Sequence, residues 1–92
     1  MRITIHFMGQ IKHAAGVALR EIDLASPCSV LDCLRQLPQR ADDALGRFLL
    51  DGSRGVSRTI LVFLGEEQVE HAESAWLTDG DVLTVLSPIA GG

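Results

Sequence analysis

The first residues of the chain, from Arg2 to Met8, alternate between polar and apolar side chains. The apolar positions are Ile3, Ile5 and Phe7, which fall on one side of an extended backbone. A two-residue period of this kind is typical of a strand with one buried face. A second alternating run, from Val17 to Leu24, predicts another strand, and we expect the two to form a hairpin.

A helical period begins after Ser29, a residue type that is favoured as a helix N-cap. Asp32 follows three residues later, where its carboxylate opposes the helix dipole. Apolar side chains then recur one helical turn apart, at Val30, Cys33, Leu34 and Leu37. This spacing predicts a helix that reaches about Leu37, ends before Pro38 and lies across the apolar face of the first strand.

The middle of the chain is predicted to contain a short second helix followed by a loop. The helical spacing recurs at Ala44, Leu45, Phe48 and Leu49. Asp51 and Gly52 are expected to end this helix. The stretch from Ser53 to Arg58 has glycine, serine and two arginines but no apolar period, so we predict a mobile loop there.

Three further strands are predicted after this loop. Residues Thr59 to Leu64 form a strongly apolar run, and a short strand is expected from Gln68 to His71. The last strand follows the turn-forming residues 79–81. It should end near Leu86, because Pro88 has no N–H group with which to continue a sheet.

The order of these elements, β-β-α-α-β-β-β, lacks the strand-helix alternation of doubly wound folds. It indicates an α+β fold in which a mixed sheet of four to five strands is covered on one face by a helix, with a short second helix beside it. The third and last strands are apolar on both faces, although one helix covers only one of them. We therefore predict a partner-binding surface, the alternative being that a second helix or loop covers this area. Its predicted residues are Leu86, Val62 and His6.

Composition and charge narrow the class of protein. The chain has 92 residues, enough for one domain with a modest core, and a net charge of -4 that argues against nucleic-acid binding. It has no apolar stretch of membrane-spanning length and no signal-peptide pattern, so we expect a soluble cytoplasmic protein. Cys28 and Cys33 lack the spacing of a zinc site or a redox pair, so we expect reduced thiols and no bound metal.

No set of catalytic residues is apparent in the sequence. None of the histidines, His6, His13 and His71, has a serine or cysteine neighbour placed as a nucleophile. There is no phosphate-binding glycine loop and no carboxylate pair with separate acid and base roles. The sequence therefore favours a protein without enzymatic activity or a bound cofactor, which serves another enzyme as substrate or carrier.

The end of the chain is the strongest candidate for that role. Side-chain bulk decreases after Pro88 until the last two residues, Gly91 and Gly92, have no Cβ. Such a segment suits a narrow slot in a partner enzyme, although a frayed end is the alternative. We divide the chain into a domain of residues 1–86 and a flexible tail of residues 87–92. The tail residues predicted to bind the partner are Pro88, Ile89, Ala90 and Gly91.

The order of elements, the segment from Leu77 to Val82 and the ending from Ser87 to Gly92 resemble the ubiquitin-like sulfur carriers of the β-grasp fold. These include the small subunit of molybdopterin synthase, the thiamin-pathway carrier and a carrier of cysteine biosynthesis. The resemblance implies that an adenylyltransferase similar to the ubiquitin-activating enzyme uses ATP to adenylate the Gly92 carboxylate. The resulting thiocarboxylate would donate its sulfur to a synthase. Ser87 replaces the first of two prolines usual in molybdopterin synthase subunits, which leaves the pathway open.

Three other functions agree with the same sequence features. The chain could be the small subunit of a stable molybdopterin synthase heterodimer. It could be a protein modifier joined to lysines through Gly92. It could also be a plain interaction domain whose terminus is chemically inert.

Overall fold

The computed structural model describes residues 1–37, 44–51 and 55–87. Over these residues the chain forms five strands and three short helices. In order they are β1 (Arg2–Met8), α1 (Ile11–Ala15), β2 (Leu19–Asp23), α2 (Val30–Arg35), α3 (Ala44–Leu49), β3 (Leu61–Leu64), β4 (Glu67–Gln68) and β5 (Val82–Leu86). The predicted order of strands and the two predicted helices are confirmed.

The strands form one mixed sheet in the order β2-β1-β5-β3-β4. The last strand, β5, lies in the middle and runs parallel to β1, with Ile5 opposite Leu83 and Phe7 opposite Val85. The other neighbours are antiparallel. The predicted α+β class and mixed sheet are therefore confirmed.

The core lies between one face of this sheet and the helices. The three apolar residues of β1, together with Leu83 and Val85 of β5, are almost fully buried. Helix α2 places its predicted stripe against them, and α3 adds Leu45 and Leu49 to the same cluster. Aliphatic side chains build nearly all of this core, because the chain contains few aromatic residues. No helix among the described residues is long and apolar enough to cross a membrane.

Helix α2 begins as the sequence predicts. The Ser29 backbone is extended, with φ of -73° and ψ of 163°, and its Oγ accepts a hydrogen bond from the Asp32 amide at 3.1 Å. This bond gives a partner to one of the amide groups that the first helical turn leaves unpaired. Ser29 also forms an isolated β-bridge with Trp76, so the start of the helix is fixed to the loop before β5.

The connection between β1 and β2 contains helix α1, which the sequence analysis missed by predicting a simple hairpin. Gly9 and Gly16, both with positive φ, flank the helix. Ile11 is fully buried and anchors it to the core. At five residues the helix is too short to show a helical period, and only Gly16, a typical C-terminal glycine, signals it.

Residues 55–57, within the predicted mobile loop, make defined backbone contacts. The Asp51 amide donates to the Gly55 carbonyl and the Ser57 amide donates to the Leu49 carbonyl, each at 2.8 Å. A β-bridge also joins Leu50 to Val56, so residues 55–57 are paired with the end of α3. Backbone pairing of this kind leaves no side-chain period for sequence reasoning to detect. Residues 52–54, the tip of the predicted loop, lie outside the described residues.

The two cysteines are both free thiols, as predicted, and they differ in environment. Cys33 is fully buried in the core, whereas Cys28 is partly exposed beside the start of α2. Burial raises the pKa of Cys33 from 9.0 to about 12, with a smaller contribution from Cys28. Burial and the charge of Asp32 also raise the pKa of Cys28. Neither thiol is activated as a nucleophile, because a raised pKa reduces the thiolate fraction.

Removing the helix cap should destabilise the domain. Ser29→Ala deletes the acceptor for the Asp32 amide, and we expect the free energy of unfolding to fall by about 1 kcal/mol, as for other N-cap serines. Chemical denaturation followed by circular dichroism measures this change. Ser26→Ala, an exposed serine outside the helix, is the matched control. Equal stabilities of the two variants would show that the cap does not contribute.

The raised pKa of Cys33 should make the domain less stable at high pH, because the unfolded chain loses this proton first. The unfolded thiol loses its proton above about pH 9, but the folded one keeps it until about pH 12. The stabilisation is therefore complete below pH 9 and is lost as pH rises toward 12. Between pH 8 and pH 10 wild type should lose about 1 kcal/mol more than Cys33→Ala, measured by urea unfolding. Identical losses in the two proteins would contradict the assignment.

Candidate functional site

The last described residue, Ser87, is held firmly at the end of β5. Its amide donates to the Met8 carbonyl at 3.0 Å, and its Oγ accepts from the Ile11 amide at 2.7 Å. The residue is only 4% exposed. The predicted boundary between domain and tail therefore needs a correction: Ser87 belongs to the folded domain, since its amide bonds to the end of β1 and its hydroxyl to the start of α1.

The predicted reactive end of the chain comes directly after Ser87 in the sequence. Gly92, with its carboxylate, and the predicted partner-binding residues 88–91 lie outside the described residues. What the structure gives is their origin, at the carboxyl end of the central strand. The reactive group and its nearest neighbours stay predictions from the sequence.

One face of the sheet is not covered by the helices, and we call it the open face. It consists of the side chains that alternate with the core residues of four strands. Their strand register places them in three rows across the sheet. The rows are Met8, Leu86 and Leu61; then Leu19, His6, Thr84 and Phe63; then Glu21, Thr4 and Val82. The prediction that apolar surface stays open is confirmed for the residues described.

The open face changes in character along the strands. The row nearest Ser87 is entirely apolar, and its Met8 and Leu61 are 51% and 37% exposed. At the opposite end Arg2 forms ion pairs with Asp23 at 3.2 Å and with Glu21 at 3.5 Å. On the open face, these charged side chains therefore lie at the end opposite Ser87. Exposed apolar area beside the chain exit is the feature expected of a protein contact.

Two of the three predicted surface residues lie on the open face. Leu86 occupies the centre of the row nearest Ser87, and His6 the centre of the next row; both are half-buried. Val62 is wrong. It pairs with Val85 on the core face and is 3% exposed, so it offers no surface to a partner.

The structure adds Met8, Leu61 and Phe63 to the surface that sequence reasoning proposed. Leu61 and Phe63 flank Val62 on β3, a run of four apolar residues in which alternation cannot show the outer face. A shift of one residue turns every side chain to the opposite face. Met8 was detectable, because it shares the period of His6 on the outward side of β1.

The described residues contain no candidate metal site. Within residues 1–37, 44–51 and 55–87, no group of three histidine, cysteine, aspartate or glutamate side chains could hold a metal ion. His13 is exposed on α1, and His71 is exposed with its Nδ1 3.7 Å from a carboxylate oxygen of Glu73. In the described part of the chain, then, the three histidines belong to no such group.

Comparison with known proteins identifies the family. The profile of the ThiS family matches residues 5–92. SAMP1 from Haloferax volcanii has the same fold, with 20% identity and a TM-score of 0.82 over 100% of both chains. No curated protein matches the sequence significantly.

Two protein complexes also contain chains of this fold. One is the protein-protein complex of subunits 1 and 2 of molybdopterin-converting factor from Helicobacter pylori 26695, with 24% identity, a TM-score of 0.61 and 100% coverage of both chains. The other is the BexX/CysO complex from Amycolatopsis orientalis, with 24% identity, a TM-score of 0.69 and coverage of 98% of this chain and 99% of that chain. At these identities the neighbours establish the fold, and the family profile establishes the membership. The chain belongs to the ThiS family of ubiquitin-like sulfur carriers and has their β-grasp fold.

Proposed function

We propose that this chain carries sulfur as a thiocarboxylate on Gly92, after a partner enzyme has activated the terminal carboxylate with ATP. The observation that carries the proposal is the position of Ser87. The central strand ends at a fixed residue, bordered by an exposed apolar row, only five residues before the terminal glycine. Membership of the ThiS family supports the same function.

The proposed chemistry has two steps. A carboxylate oxygen of Gly92 attacks the α-phosphorus of ATP, forming the acyl adenylate and releasing pyrophosphate. A sulfur nucleophile at the oxidation level of sulfide then attacks the carbonyl carbon, and AMP leaves with its electron pair. The product is a terminal thiocarboxylate. The chain supplies the carboxylate, and the partner adenylyltransferase binds ATP, so the carrier itself holds no cofactor.

Comparing the entropic cost of ordering the tail with the free energy of its hydrogen bonds indicates that the tail does not provide the affinity for the partner. Fixing five residues costs roughly 1 to 2 kcal/mol each. Hydrogen bonds formed inside a slot return only about 0.5 to 1.5 kcal/mol each. We therefore infer that the open face binds first, through the row of Met8, Leu86 and Leu61, and that the tail then enters the active site.

The partners we propose are proteins of two kinds. The first is an adenylyltransferase similar to the ubiquitin-activating enzyme, and the second is a synthase that accepts the sulfur. The complex of molybdopterin-converting factor subunits and the BexX/CysO complex each contain a chain of this fold, and they support binding to partner proteins. The pathway that receives the sulfur is left open, because the neighbours come from different named systems.

Protein modification is a second candidate function. The similarity to a small archaeal modifier protein from Haloferax volcanii favours it at the level of the fold. Conjugation would begin with the same adenylate, but a lysine amine would replace AMP and form an amide. Conjugates of higher mass in the cells of origin would identify this reaction, and a stable heterodimer on purification would identify a synthase subunit.

Intact-mass measurement tests the carrier function directly. After incubation with the adenylyltransferase, ATP and a sulfide source, the protein should gain the mass difference between sulfur and oxygen. A variant lacking Gly92 should show no change, since it lacks the terminal residue that the partner activates. An unmodified wild-type mass under conditions where the enzyme is active on another carrier would contradict the proposal.

Substitution on the open face tests the docking step. Leu86→Asp places a charge in the row beside Ser87, and we expect the affinity for the adenylyltransferase to fall about 10-fold or more. Val82→Asp is the matched control, because Val82 lies on the same strand and face but at the charged end. Calorimetry measures binding, and circular dichroism verifies that both variants fold. Unchanged affinity in a folded Leu86→Asp protein would refute docking through this row.

A further inference from the structure

The chain from the end of β1 to the start of α1 contacts the residue that follows β5, and we call this contact region the Ser87 junction. Its members are Met8, Gly9, Ile11 and Ser87. We propose that the Ser87 junction is a positioning device, which fixes the point from which the tail leaves the domain and thereby sets how efficiently a docked partner captures Gly92. The inference rests on the proposed function and assigns a role to residues outside the reacting end.

The hydrogen bonds of the junction fix Ser87 to two different elements. Its amide bonds to Met8, at the end of β1, and its Oγ bonds to Ile11, at the start of α1. The second bond gives the Ile11 amide a buried partner, which a hydrogen-bond donor at a helix start requires. Ser87 therefore cannot swing away from the sheet without leaving a buried donor unpaired.

Gly9 closes the junction from the other side. Its φ is +82°, a conformation that residues with a Cβ rarely adopt. An added Cβ would overlap the Ser87 carbonyl oxygen and lie 2.9 Å from the Ser87 Oγ. The backbone of Gly9 thus lies directly against Ser87. The position requires a glycine on two independent grounds, backbone conformation and space.

The proline that follows Ser87 also restricts the backbone conformation of Ser87. Pro88 follows Ser87, and the proline ring disfavours the helical region for the residue before it. Both the hydrogen bonds and this steric restriction therefore limit the direction in which the chain continues. Constraints of two kinds on one residue at the end of a strand exceed what closing a sheet requires, since β5 is already paired on both sides.

A fixed origin matters because the remaining segment is short. Five residues follow Ser87, and even fully extended they place Gly92 no more than about 17 Å from it. If Ser87 is released, its backbone also becomes free to change conformation. Inserting the tail must then restrict one more residue, which raises the entropic cost of insertion. The docked complex then spends less time with Gly92 in the active site. Docking through the open face is unaffected, so the loss appears in kcat while KM stays the same.

The experiment compares Ser87→Ala with Ile3→Val in adenylation by the adenylyltransferase that activates wild type. Ser87→Ala removes the Oγ acceptor. Ile3→Val removes one methyl group from the core at the far end of β1 and matches it in modest loss of stability. Pyrophosphate exchange gives kcat and KM. We expect kcat of Ser87→Ala to fall roughly 5- to 30-fold with KM unchanged, and Ile3→Val to resemble wild type.

A measurement without the partner verifies the contact itself. The Ile11 amide should exchange slowly with deuterium in wild type and in Ile3→Val, and much faster in Ser87→Ala. Gly9→Ala provides a second variant that disturbs the junction from the opposite side while keeping the Ser87 hydroxyl. It should lower kcat in the same direction, because the added methyl group displaces Ser87.

The outcomes separate the two proposals. If wild type is adenylated and Ser87→Ala has the same kcat as Ile3→Val, the positioning role is wrong and the carrier function stands. A rise in KM with constant kcat would place Ser87 in docking instead and would also refute the role. If no adenylation of wild type occurs, the carrier function fails and the positioning role fails with it.

Discussion

Parallel pairing between the first and last strands is the constraint on which the rest of the structure depends. Strand β5 lies between β1 and β3, so the sheet is incomplete until the final residues of the domain are in place. Parallel neighbours cannot be joined by a tight turn, and residues 9–81 connect these two strands. The tail therefore begins at the centre of the sheet. An end that leaves from the centre has apolar neighbours on both sides, whereas one at an edge strand would have them on only one.

Much of this fold is predictable from side-chain periods. The alternation in β1 and the helical stripe of α2 identify the two surfaces of the core, and Ser29 marks the start of the helix. Helix α1 and the pairing of Val56 escape prediction for a different reason: their stability comes from backbone hydrogen bonds and from one buried side chain, Ile11. Such features leave almost no signal in the sequence.

The candidate site is predictable only in part. The terminal glycines suggest the reactive end by their lack of side chains, and Leu86 follows from the end of the last strand. The prediction for Val62 is wrong because a strand that is apolar at every position has no alternation to show which side chains face the core. The pairing of Leu61 with Leu86 and of Val62 with Val85 shows which side chains of β3 face the core. Ser87 appeared in the sequence only as a departure from a proline pattern, and its two hydrogen bonds require the three-dimensional neighbours Met8 and Ile11.

The parallel arrangement also separates Met1 from Ser87, the residue at which the tail begins. Met1 lies where β1 starts, with its ammonium group donating to the Leu24 carbonyl at 2.8 Å, whereas Ser87 lies where β1 finishes. A seven-residue strand spans about 23 Å between these points. An affinity handle or a surface linkage attached before Met1 would consequently face away from the exit. The protein can be immobilised in that orientation so that Ser87, where the tail begins, lies on the side facing an enzyme in solution.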